Sequence, residues 1–201
     1  MIDYIVKRIQ AIVAKDYIRK NHYSRGISNC PFPCYGLFDK EKLIGVCAFA
    51  VPCSEFVRSS VFGKEYKNHV IELHRFHILD CTPKNTESWF ISRCLKALKQ
   101  DKPEIWAVIS FSDLSEGHSG VIYKAANAYY LGVTQSRMFF VDLTGRLRHP
   151  RQCGRNIRQQ EAVKLGWKPE KRKGKNRFLW ILPDDKRHKR KLMKLSRYNL
   201  A

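Results

Sequence analysis

Residues 105–133 read IWAVISFSDLSEGHSGVIYKAANAYYLGV. The run Ile105, Trp106, Ala107, Val108, Ile109 is apolar without interruption, the pattern of a strand covered on both faces and so central in its sheet. The chain turns polar at Ser110, Ser112 and Asp113 and passes through Glu116-Gly117-His118-Ser119-Gly120. It then enters a segment where Ile122, Ala125, Ala126 and Tyr129 recur at helical spacing, which predicts a helix over 121–131 stopped by Gly132. Strand, polar loop and helix in this order put Asp113 and His118 at the carboxyl end of a central strand, facing a helix amino end. Mixed α/β folds usually hold ligands there.

Toward the amino end, Ile5, Ile9, Ile12 and Val13 predict an opening strand or helix, and 15–21 a helix. Residues 21–36, NHYSRGISNCPFPCYG, form a loop by their Asn, Ser, Gly and Pro content, and this loop carries His22, Tyr23 and Arg25 together. Packing beneath the loop is the alternative role for His22 and Tyr23. A β-hairpin follows, with strands 35–38 and 43–51 around the turn 39–42, and then an irregular excursion over 52–68. The stretch VIELHRFHILD, 70–80, alternates as a strand that places Leu73, Arg75, His77 and Leu79 on one face and Glu72, His74, Phe76 and Ile78 on the other. Residues 83–100 predict a helix capped by Asn85 or Thr86, with Glu87 in its first turn and Phe90, Ile91, Cys94, Leu95 and Leu98 as the buried stripe. Toward the carboxyl end come a strand at 138–141, a basic loop GRLRHPRQCGRNIR at 145–158, a short helix at 159–165 and a last strand at 177–182. Its flanks, 171–175 and 186–197, are dense in Lys and Arg.

The 201 residues, 44% hydrophobic and 12% aromatic, suffice for one domain with its own core. We expect a single catalytic domain over 1–201 with a basic carboxyl-terminal extension over about 183–201. Against 18 Asp and Glu stand 38 Lys and Arg, a formal charge of +20, so the surface should attract a polyanion, nucleic acid being the commonest. No apolar run approaches the roughly 18–20 residues of a spanning helix. The first residues, with apolar positions interrupted by charge, do not read as a cleaved signal. Seven cysteines, an odd number at irregular spacing, predict a reducing cytoplasm. His74 and His77 lie on a strand and should point apart, and Cys30 and Cys34 lack a second pair, so a structural zinc site is not expected.

The order of hairpin, strand with ELxRF, capped helix, central strand and helix resembles the GNAT acyltransferases. It implies an α/β (α+β) fold with a mixed, mostly antiparallel central sheet flanked by helices. More specifically, NHYSRG, ELHRFHILD, PKNTESWFISRCLK, VISFSD, GHSGVIYKAAN and the loop with RHPRQ resemble the Mom proteins of bacteriophages. That resemblance implies an enzyme in the cytoplasm of a bacterial host that converts adenine N6 in double-stranded DNA to a glycinamide-type (carbamoylmethyl) derivative, shielding phage DNA from restriction. Carried over block by block, its functional positions fall on His22, Tyr23, Arg75, Ser88, Asp113 and Tyr123. The resemblance also raises iron, for which His22, Tyr23, Asp113 and His118 are the oxygen and nitrogen donors at hand.

GNAT enzymes hold the pyrophosphate of coenzyme A on a Gly-rich turn at the start of the helix after the ELxRF strand. Here that junction is Cys81-Thr82-Pro83-Lys84-Asn85-Thr86-Glu87, without glycine, with a proline that removes one amide and with an acid where phosphate would sit. An aminoacyl-tRNA such as glycyl-tRNA is therefore expected as donor beside, or in place of, an acyl-CoA.

Adenine N6 is a weak nucleophile whose proton becomes acidic as the new bond forms, so a positioned base is worth about 10²–10⁴ in rate. Asp113, at the end of an apolar strand, is the expected base with its pKa raised by desolvation, and His22 is the second candidate. Asp113 as a helix cap and Tyr123 as a core aromatic are the structural alternatives. Tyr123 would donate to the leaving atom, Ser88 would bind the donor carbonyl, and Arg75 would hold a phosphate, orient Asp113 or form an ion pair with Glu72 or Glu87. The target base should be flipped from the duplex. The expected phosphate contacts are Arg146, Arg148, Arg151 and Arg155 in the basic loop, and Lys171, Arg172, Lys173 and Lys175 beyond it. Two other functions compete: an N-acetyltransferase acting on a protein or small-molecule amine, and a non-catalytic basic DNA-binding protein.

Overall fold

Both elements that the opening residues allow are formed. Tyr4–Ile9 is strand β1 and Ala11–Asn21 is helix α1, which buries Ala14, Tyr17 and Ile18. A computed structural model of the chain describes residues 4–27, 31–149 and 159–200. The hairpin is β2 (Cys34–Asp39) and β3 (Lys42–Ala50), turning through Lys40 at φ 55°. The excursion after it is not irregular throughout, because Glu55–Phe62 forms helix α2, closed by Gly63 at φ 100°. Strand β4 (Val70–Ile78) and helix α3 (Thr86–Asp101) follow as their patterns predict, and α3 buries Phe90, Ile91, Cys94, Leu95 and Leu98. Strand β5 (Ala107–Asp113) is the apolar run, with Ala107, Val108, Ile109 and Ser110 all buried.

The largest departure follows β5. Helix α4 covers only Val121–Ala125, and Tyr129–Val133 is strand β6. Asn127, at φ 60°, turns the chain, and the Ala126 carbonyl at the helix end accepts the Trp180 indole N–H at 2.8 Å. The aromatic and β-branched residues of YYLGV prefer the extended state, so a tertiary hydrogen bond and one left-handed residue override the helical spacing. Gly132, at φ 82°, lies inside the strand instead of ending a helix.

The rest comprises β7 (Arg137–Val141), β8 (Leu147–Arg148), α5 (Gln159–Lys164), β9 (Lys168–Arg172), β10 (Lys175–Ile181) and α6 (Lys186–Leu195). One sheet has the order β1-β2-β3-β4-β5-β10-β6 and a second the order β8-β7-β9. Neighbours from β1 to β4 are antiparallel, and β4 runs parallel to β5. The fold is thus the mixed, mostly antiparallel sheet with flanking helices that the sequence predicts.

Two compact units divide the chain: Met1–Phe111, Gly120–Leu131 and Arg177–Ala201 form one, and Ser112–Ser119 with Gly132–Asn176 the other. The first holds the main core, where Phe49, Phe90, Ile91, Leu98, Val108 and Phe178 pack together. Leu192 of α6 and Leu200 are buried in that unit beside Val61, Ile109 and Leu179. In the second, β7 pairs with β8 and β9, and Phe140 and Ala162 are buried.

Candidate functional site

In the first unit the site begins at a break in pairing. Val70–Leu73 pair with Ala107–Ser110, and beyond Leu73 and Ser110 no further pairs form between β4 and β5. On its other edge β4 is bulged: Ala48 opposes Arg75 and Phe49 opposes Leu73, so His74 has no opposite residue. A bulge adds one residue and reverses the alternation beyond it. Leu73, Phe76 and Ile78 therefore belong to one cluster, while Arg75 and His77 lie opposite Ala48 and Val46, which pack with α1. The uniform alternation expected over 70–80 holds only up to the bulge.

Arg75 donates through Nε to the Gly26 carbonyl at 2.7 Å and through Nη1 to the His74 carbonyl at 2.7 Å. It thereby ties the loop after α1 to the bulged strand. Burial lowers its pKa, against the opposing pull of Tyr23, Glu72 and Tyr123. Glu72 bonds to His74 at 3.3 Å. The ion pair of Arg75 with Glu72 or Glu87 is not formed among the described residues.

Tyr123, on α4, is only 8% exposed. Its ring meets Phe178 at 5.1 Å and Trp180 at 5.5 Å, both edge to face, and its hydroxyl bonds to Ser110. Ser110 itself donates to the Leu73 carbonyl at 3.0 Å. Burial pushes the phenol up to about 12, against the downward pull of Ser110 and Arg75. Tyr123 is a core aromatic and also a protonated donor at neutral pH.

His22 caps the end of α1, and its ring stacks obliquely on Tyr23 at 4.3 Å. His22 Nδ1 lies 2.8 Å from Ser24 Oγ, which itself donates to the Gly26 carbonyl at 3.0 Å, and 3.1 Å from the Ser24 N–H. His77 is a residue that the sequence presents only as half of an HxxH. Tyr17 gives its hydroxyl proton to the Ile44 carbonyl at 2.7 Å, so at 3.2 Å its oxygen accepts from His77 Nδ1–H. Nε2 is then the acceptor nitrogen of His77. Burial keeps that ring neutral by lowering its pKa, against the pull of Asp80. His77 and Ser110 are the residues that reading by periodicity missed; His77 stands two positions after Arg75, which was the available signal. Ser88 sits on the first turn of α3 with its hydroxyl donating to the Asn85 carbonyl at 3.1 Å.

Asp113 belongs to the second unit. Its Oδ1 accepts the Ser115 N–H at 3.0 Å and lies 3.5 Å from Arg172; its Oδ2 lies 3.1 Å from Lys175. Burial presses the carboxyl up, yet Lys175, the Ser115 amide and Arg172 together hold it below the ordinary carboxylate value. The expected rise is therefore corrected to a fall: two cations outweigh the desolvation. Asp113 also caps the turn Leu114–Glu116, and its partners are Lys175 and Arg172 instead of Arg75.

Arg172 carries three acids, Glu116 at 2.6 Å and Asp113 and Glu170 at 3.5 Å each, which commits it to holding the unit together. Arg148 is paired with Asp142 at 2.7 Å. Arg146, Lys171, Lys173 and Lys175 are exposed, and Arg151 and Arg155 lie outside the described residues. A cavity of about 250 Å³ in this unit is lined by Asp113, Gln135, Arg137, Phe139, His149 and Lys173, with Thr134, Arg172 and Lys175 completing it.

Iron does not fit the donor set that the sequence offered. Both Asp113 oxygens are taken up with cations, and His22 Nδ1 is engaged with Ser24. Among the described residues no three His, Cys, Asp or Glu side chains converge. No helix of the described residues is long and apolar enough to cross a membrane.

Among solved structures, the fold is similar to spermidine N-acetyltransferase of Vibrio cholerae in complex with CoA and spermine, at 9% identity and a TM-score of 0.51 over 89% of this chain and 95% of that one. It is also similar to the ribosomal-protein-S18-alanine N-acetyltransferase of Escherichia coli, at 6% identity and a TM-score of 0.52 over 89% and 93%. These likenesses establish the GNAT-like fold. In sequence the chain is 30% identical over 137 residues to methylcarbamoylase mom of Escherichia phage Mu, covering 68% of this chain and 57% of that protein's length. The model of the Mom protein family matches residues 3–199. On that match, and on the blocks that carry Arg75, Asp113 and Tyr123, the chain belongs to the Mom protein family.

Proposed function

We propose that the chain is a DNA-modifying transferase that places a glycinamide-type (carbamoylmethyl) group on adenine N6 in double-stranded DNA, protecting phage DNA from restriction in the host cytoplasm. The observation that carries this reading is the buried phenol of Tyr123, bonded to Ser110 where β4 and β5 cease to pair. In the transfer the N6–carbon bond forms as the bond from that carbon to the leaving oxygen or sulfur breaks, Tyr123 gives its proton to the leaving atom, and the proton lost from N6 returns through water to the phenolate. The name of the phage Mu relative supports the group transferred, and the charge of +20 supports a polyanionic substrate.

The donor we infer is an aminoacyl-tRNA: N6 attacks the ester carbonyl of glycyl-tRNA, the tRNA 3′-oxygen leaves, and the glycyl group delivered is an isomer of carbamoylmethyl that reaches it by rearrangement without loss or gain of atoms. Pro83 has no N–H, the Thr86 N–H and hydroxyl both donate to the Pro83 carbonyl at 3.2 and 2.7 Å, and Glu87 occupies the first turn of α3. An anionic pyrophosphate would find few donors there. The solved neighbours whose descriptions include CoA keep acyl-CoA as the comparison donor.

Mass spectrometry of nucleosides from cells expressing the chain tests the reading. A modified adenosine bearing the added group on N6 is expected, and its loss by about 10²-fold or more in Tyr123→Phe with the fold retained. Unmodified adenosine throughout would sink the proposal, and undiminished product from Tyr123→Phe would remove the assigned role. Extract treated with RNase should lose the activity if the donor rides on tRNA.

A further inference from the structure

The second unit contains a cavity that the transfer chemistry above does not account for. Its wall carries Arg137, Arg172, Lys173 and Lys175; Arg172 and Lys175 are held by Asp113, Glu116 and Glu170, and the charges of Arg137 and Lys173 favour an anionic ligand. Two rings line the same cavity: Phe139, half-buried, meets His149 edge to face at 5.1 Å and 82°. An edge-to-face partner braces a ring and leaves its face for a planar ligand. Gln135 adds a carboxamide, the group that matches the amino edge of adenine by paired hydrogen bonds.

The backbone is built for close approach here. The Thr134 N–H donates to the Lys175 carbonyl at 2.9 Å, and the Lys175 N–H to Thr134 Oγ1 at 2.8 Å. A β-carbon on Gly174 would collide with the Thr134 carbonyl, so this glycine lets the two lysine-bearing positions draw up beside Thr134 and Gln135. At about 250 Å³ the cavity is smaller than the roughly 300–1,000 Å³ of drug-sized sites. It suits one base, not a molecule as long as coenzyme A.

We propose that this cavity receives an extruded adenine nucleotide of DNA, the base stacking on Phe139, its amino edge read by Gln135, and the flanking phosphates held by Arg137 and Lys173. The inference rests on the DNA-modification reading and names where the target base binds.

The test is fluorescence anisotropy of the full chain with labelled single-stranded oligodeoxynucleotides of equal length, one carrying a central adenine and one abasic at that position. Wild type should bind the adenine strand roughly tenfold more tightly. Phe139→Ala and Phe139→Leu should each bring that ratio to about one while keeping the steep salt dependence, which also shows them folded. Lys173→Ala should weaken both strands equally. A ratio near one in wild type, or an unchanged ratio in both Phe139 variants, overturns the assignment. So does coenzyme A displacing the adenine strand but not the abasic one. Loss of salt-dependent affinity for every strand in wild type would instead sink the DNA reading itself, so the two failures are distinguishable.

Discussion

Two residues of the candidate chemistry titrate in opposite directions: partners set the sign for Asp113, and burial sets it for Tyr123. Asp113 is held below its ordinary value of 3.8 by Lys175, Ser115 and Arg172 against its desolvation. Asp142 is held far below by Thr144, with Arg148 and the backbone amides of Arg146 and Thr144. A depressed carboxyl contributes stability that is complete above its unfolded value and lost as pH falls through the folded one. Acidification below about pH 4 should therefore progressively loosen the β7–β8 turn as the pH falls toward the folded value of Asp142. Amide exchange over 142–148 should rise there, and Asp142→Asn should already exchange fast at neutral pH; protection unchanged in both would contradict the assignment. Tyr123 runs the other way. Its pKa, pushed from 10.0 to about 12, gives a contribution complete below the unfolded value and lost as pH rises between those limits. Tyr123→Phe should remove that part of the alkaline loss, visible in thermal unfolding measured across the window.

At the scale of elements, binary pattern and turn chemistry were enough wherever an element buries one face. The stripe of α3 and the apolar run of β5 are of this kind. Helix α6 is a less obvious case: ten residues, seven of them Lys, Arg or His, that read as a basic tail. Yet Leu192 is fully buried in the cluster with Leu179 and Ile109. Leu192→Ala should destabilise the first unit by roughly 2–5 kcal/mol, measured by denaturant unfolding, whereas a mere appended tail would show no change. The bulge at His74 and the short α4 were illegible in sequence. Each is decided by a partner distant in the chain, Ala48 and Phe49 for the bulge and Trp180 for α4.

For the whole molecule, charge is the property least dependent on the fold. With +20 on 201 residues and with Arg146, Lys171, Lys173 and Lys175 exposed, DNA binding should release several counterions. Affinity is expected to fall about 10³–10⁵-fold between 50 and 200 mM salt if six to ten phosphates are contacted. Filter binding or anisotropy across that range checks it, and a flat profile would remove the electrostatic footprint.

The sequence by itself determined the fold class, the order of most elements, the basic surface and the blocks that mark the family. These depend on local pattern, composition and residue identity. Only the tertiary structure decided protonation and partnership. It paired Asp113 with Lys175 and Arg172, set the tautomer of His77, moved Arg75 and His77 to the α1 side and placed Asp113 and Tyr123 in different compact units. A pKa or a tautomer is set by the few groups within hydrogen-bonding distance, and those groups lie up to 62 residues away along the chain, as Lys175 does from Asp113.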